Sequence, residues 1–214
     1  MRQMNWIFLT LLLLAGKDAA LAQANESGEL TAPQAAVGLA HHHAEKEEAS
    51  LDAKTEKRAL QIFLKSIEKE IVSAADAMPA DKYGFAPTDG EFKGVRTFGQ
   101  QVKHLAATNR ILAAAALGEE PPPDAGDEVG PEAVRTKAEI LDYLRGSFIR
   151  LGKAIDAIGN ENATVKSSSI SPLSATQVTR LALTVESLMH SLNHYGQMVV
   201  YLRMNGVVPP ASHP

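Results

Sequence analysis

From Leu51 onward, apolar residues recur in steps of three and four, and no stretch alternates apolar with polar for long enough to make a strand. Leu60, Phe63, Leu64, Ile67, Ile71 and Ala74/Ala75 mark the inner stripe of a first helix over residues 51–77, with Lys and Glu on its other face. Met78-Pro79 ends it, because the residue before a proline is pushed out of helical geometry. Pro79 to Gly90 reads as a loop, pinned to the body by Tyr83 and Phe85. A second helix opens at Thr97, where Gln100 completes a capping box, and carries Phe98, Val102, Leu105, Ile111 and Leu112 inward. Gly118 stops it. Thr136 and Glu139 form another box, ahead of a third helix with Ile140, Leu141, Leu144, Phe148, Leu151 and Ile155 inward and Gly159 at its end. Ser174 and Gln177 predict a third box and a fourth helix running to Asn205, roughly 47 Å long, with Gly206 as its cap. Val178, Leu181, Leu183, Val185, Leu188, Leu192, Val199 and Leu202 spread widely around that helix, which predicts a central place for it.

Together these segments predict an all-α fold, a four-helix bundle over residues 51–210 with a tail at 211–214. Glu119 to Arg135 is too long for a tight hairpin and is expected to make a long crossover connection. Ahead of the bundle, Arg2, the apolar run Trp6–Ala15 and Ala20-Leu21-Ala22 have the pattern of a secretory signal peptide cleaved after Ala22. Export follows, to a periplasmic or secreted location. The apolar run falls short of the roughly 20 residues that cross a bilayer, so no transmembrane segment is expected in the mature chain. Residues 23–50 are rich in Ala, Glu and small polar groups and read as a flexible leader. They hold His41, His42 and His43, which fit either a solvated tail or a metal-gathering tract.

Composition narrows the function. A hydrophobic fraction of 45% supports a buried core. Lys+Arg 21 against Asp+Glu 25, with no basic block, gives no electrostatic case for nucleic acid. The chain has no cysteine, which excludes disulfides, thiolate ligands and a cysteine nucleophile. The pattern leaves room for a homodimer.

The candidate chemistry lies on the fourth helix, in Met189-His190-Ser191-Leu192-Asn193-His194-Tyr195-Gly196-Gln197. His190 and His194 are four apart and share one helix face, so both imidazoles can reach one metal ion. His104 on the second helix makes a candidate third ligand. Gln197 lies on nearly the same stripe and could hydrogen-bond a ligand or water held by the ion. The spacing is a weak signal on its own, since histidines four apart are as readily ordinary core or surface residues. Imidazole suits zinc, nickel, copper and iron alike, so metal identity stays open.

Four stretches in order resemble the DinB-like family of small helical proteins: Ala77-Met78-Pro79-Ala80-Asp81-Lys82-Tyr83-Gly84-Phe85-Ala86-Pro87, Thr97 to Leu105, His190 to Gln197, and Tyr201 to Pro210. The resemblance covers about Leu60 to Pro210. It implies a four-helix bundle holding a divalent transition metal, such as zinc, nickel or iron, through His104, His190 and His194. Many relatives read His-Glu-x-x-His-His-Arg-Gly-Gln on the fourth helix. Here Ser191, Asn193 and Tyr195 replace the acid, a histidine and the arginine, so the motif supplies no general base. Glu186 and Lys103 are the nearest ionisable groups.

Relatives with an assigned activity include thiol-dependent S-transferases and a thiol-dependent isomerase. The resemblance therefore implies a metal-dependent enzyme that activates a small thiol, with hydrolysis as the second enzymatic reading. Other small-molecule substrates stay open. The alternative is a non-catalytic metal-binding or structural bundle.

Overall fold

The computed structural model describes residues 32–126, 128–159, 164–166, 168, 170 and 177–212, with side chains described from Lys54 onward. It divides into Met1–Ala44 and a compact unit, Glu45–Pro214. In the first unit the backbone is helical from Ala32. The expected signal peptide and the start of the leader lie outside the described residues.

Four helices carry the fold: α1 (Ala32–Ala77), α2 (Phe98–Leu117), α3 (Lys137–Asp156) and α4 (Arg180–Met204). α1 starts well before Leu51, so residues 32–50, expected as a flexible leader, have helical backbone. Their Ala, Glu and Lys content has high helix propensity, which the scarcity of large apolar groups obscured. Both predicted boxes on α2 and α3 form. Thr97 and Gln100 cap each other reciprocally, as do Thr136 and Glu139. Gly118 takes the left-handed conformation that stops α2, at φ 76°.

The fourth helix departs from expectation. Gln177 lies in β2 (Gln177–Thr179), which pairs antiparallel with β1 (Thr164–Lys166), Val165 opposite Val178. Ser174 lies outside the described residues. α4 begins at Arg180, and Thr179 caps it by accepting from the Ala182 amide at 3.1 Å. The strands escaped notice because three residues are too few for alternation to register. At its other end Gly206, at φ 71°, closes α4 as predicted.

Side-chain pairs fix the helix directions. Lys57 donates to the Asp156 carbonyl at 2.9 Å while Lys137 pairs with Asp76, so α1 and α3 are antiparallel. Gln101 bonds Gln197, and Arg180 donates to the Ala116 carbonyl at 2.8 Å, so α2 and α4 are antiparallel. Gly99 packs on Ile140 and Glu119 pairs with Arg150, so α2 and α3 run the same way. The segment between them must return along the bundle, which is the predicted crossover.

The core lies between the helices, with Ile71, Met78, Phe98, Leu144, Phe148, Leu151 and Ile155 almost fully buried. Each such side chain contributes about 1.5–3 kcal/mol. Buried Ala106, Ala107, Ala113 and Ala116 let neighbours approach α2 closely. Phe63, Val185 and Leu192, expected inward, are exposed. Their positions fit an apolar stripe on a helical wheel, but each lies at its margin. Among the described residues, no helix is long and apolar enough to cross a membrane.

Candidate metal centre

His104 projects from α2 toward α4, and His190 and His194 project from successive turns of α4 toward α2. The three rings meet through their Nε2 atoms. His190 Nε2 is 3.3 Å from His104 Nε2 and 3.0 Å from His194 Nε2. A tetrahedral ion with bonds of about 2.0–2.1 Å sets its ligand atoms roughly 3.3–3.4 Å apart. These two separations are close to that value and all three donors lie within 4.8 Å of one another, so the three residues could hold one divalent ion.

Protonation favours the same use. Burial pushes the His190 pKa down to about 3, helped by His194, His104 and Arg96. Burial likewise brings His194 down to about 4, with His104 and Arg96 adding to it. Burial also lowers His104, against a partial opposing pull from the Glu128 carbonyl. All three rings are neutral at neutral pH, as ligation requires.

The ring of His104 is held from behind. Its Nδ1 lies 2.9 Å from the Glu128 carbonyl oxygen, which can only accept, so Nδ1 carries the proton and Nε2 presents its lone pair. Glu128 belongs to the crossover and adopts φ 64°, in the left-handed region. Lys103 anchors the same segment by donating to the Pro131 carbonyl at 2.7 Å, so its ammonium points to the crossover. The Nδ1 atoms of His190 and His194 are buried and have no hydrogen-bond partner among the described residues.

A polar clasp sets the register of α2 on α4. Asn109 Oδ1 accepts from Ser187 Oγ at 2.7 Å and from Ser191 Oγ at 3.1 Å, and all three residues are fully buried. Ser191 thus occupies the motif's acid position as a hydroxyl tied to its neighbour helix. Gln197 is exposed and uses its amide on Gln101 and Asn193.

The family model described as the DinB superfamily matches residues 64–198. The chain belongs to the DinB superfamily. No curated protein matches it. The matched span holds all three histidines, the clasp and the crossover of this DinB-superfamily chain.

Two cavities are lined by residues of both α2 and α4. One, about 540 Å³, opens beside His190 between Thr108, Leu112, Val185 and Met189, with Glu128 and Glu186 at its edge. The other, about 340 Å³, is lined by Arg96, Gln101, Gln197 and Tyr201. Glu186 stands out in the sequence as an ionisable neighbour of His190, whereas Glu128, Asn109 and Thr108 do not. Asn109 left a trace, since a poor helix former in an Ala-rich helix usually has a partner. Glu128 left none, because its role exists only once the crossover is folded.

Proposed function

We propose that this DinB-superfamily protein is an exported, metal-dependent enzyme whose ion is held by His104, His190 and His194. The convergence of three neutral Nε2 atoms from two helices carries this reading. A divalent ion such as zinc, nickel or iron, when bound, lowers the pKa of a thiol or water that it binds and so supplies a nucleophile at neutral pH. The chain's own groups do the rest. Glu128 and the Asn109 clasp orient the donors, and Leu112, Val185 and Met189 make the approach apolar.

Thiol-dependent transfer ranks ahead of hydrolysis. The motif position that would offer a base to water is Ser191, whose hydroxyl is bound to Asn109. A thiol needs less help to ionise, and a chain without cysteine must take it from a co-substrate. The same Ser191 favours the second reading, a bundle that binds metal without catalysis.

The test is elemental analysis of protein purified from its exported compartment, beside His104→Ala, His190→Ala and His194→Ala. One equivalent of metal in the wild type, falling at least tenfold in each variant, is expected. Equal metal-to-protein ratios in all four would end the proposal. Cobalt-substituted protein then separates the readings. A visible spectrum that changes on adding a small thiol supports catalysis, and one indifferent to thiol and to water exchange supports binding alone.

A further inference from the structure

The larger cavity contains a buried group that the fold does not use. Thr108 is 4% exposed and lines the cavity, yet its Oγ1 has no hydrogen-bond partner among the described residues. A buried hydroxyl left unpaired costs about 1–3 kcal/mol, so the fold alone gives no reason to keep it there. Thr108 stands four residues after His104, on the same face of α2 and one turn further along. Among the described residues the apolar walls are Leu112, Ile170, Ala182, Val185 and Met189, the other polar ones are His190 and Asn193, and the only charged side chains are Glu128 and Glu186. At about 540 Å³ the space is of the size that takes small organic ligands.

We infer that this cavity binds a mainly apolar small molecule, neutral or positively charged, through a polar group hydrogen-bonded to Thr108 Oγ1. The apolar walls take the body of the ligand, and the hydroxyl fixes its orientation. With no ion on the histidines, the Glu128 carboxylate in the lining disfavours anions, because like charges in a cleft repel. That the ligand's reactive end meets the histidines rests on the proposed metal centre. That the cavity is occupied does not.

The test uses three probes of equal length, 4-phenylbutylamine, 4-phenylbutanol and 4-phenylbutyrate. Each is titrated calorimetrically into the full mature protein, both metal-loaded and treated with chelator. The amine and alcohol are expected to bind one per chain in both preparations, and the carboxylate at least tenfold more weakly in the chelator-treated one. Thr108→Val should weaken the amine and alcohol about tenfold while leaving thermal stability equal or higher. Ala182→Phe, which fills the cavity, should abolish binding; should it not fold, Thr108→Val decides. Absence of binding, equal affinity for the carboxylate in the chelator-treated protein, or affinity indifferent to Thr108→Val would overturn the inference. A wild type that takes up no metal when offered it, yet binds the amine, would sink the metal centre alone. Full metal content without amine binding would sink the cavity alone.

Discussion

Asn109 is the residue on which the α2–α4 contact turns. Its single oxygen accepts from two buried serine hydroxyls on the opposing helix. Asn109→Ala leaves both donors unsatisfied, and each such group costs about 1–3 kcal/mol. Urea unfolding of the metal-free protein should give a loss in that range or above it. Metal affinity should fall as well, because His104 sits on the freed helix. Unchanged stability would mean that the clasp contributes nothing. The histidines give a pH prediction for the same metal-free protein. The His190 and His194 pKa values, about 3 and about 4, lie below the unfolded value of about 6.5. The unfolded chain therefore binds more protons between pH 3 and 6.5, so stability is full above 6.5 and declines as the pH falls through that window. Thermal melts should decline from pH 7 to pH 4. A variant with both residues changed to Gln should flatten that slope.

At the scale of the elements, Gly99 and Glu128 mark where backbone constraints meet the site. A Cβ on Gly99 would lie 3.1 Å from Tyr83 Cδ1 and 3.2 Å from the Tyr83 carbonyl, which itself accepts from the Gly99 amide at 2.8 Å. Gly99→Ala should therefore cost about 1–3 kcal/mol in equilibrium unfolding. Glu128 is the converse, since a non-glycine residue at φ 64° carries about 1–2 kcal/mol of strain. Glu128→Gly keeps the carbonyl that holds His104, so metal content should stay constant while stability stays level or rises by about 1 kcal/mol. A drop in metal content would show that the side chain, not the backbone, secures the ring. The helices themselves were legible because caps and apolar period are local signals. Thr97/Gln100, Thr136/Glu139 and Gly118 could each be read from a few neighbouring letters. The Ser174 box matched the same letters and failed as the start of α4, because pairing of Val178 with Val165 is a contact across the intervening segment. Only folding reveals such a contact.

Across the whole molecule, the histidines were legible as residues and not as a cluster. His190 and His194 announced themselves by spacing, whereas His104, a lone histidine on its helix, was a weaker candidate that the family resemblance strengthened. The two helices then brought its Nε2 to 3.3 Å from His190. Export is tested at this scale too. Mass spectrometry of the mature protein should place its first residue at Gln23, and an intact Met1 in the exported fraction would contradict cleavage after Ala22. The order of the ligands along the chain has its own outcome. A ribosome-bound or partly translocated chain lacking α4 owns one of the three imidazoles, and one is too few to retain an ion. If the proposed centre holds an ion, loading has to wait until the C-terminal helix docks.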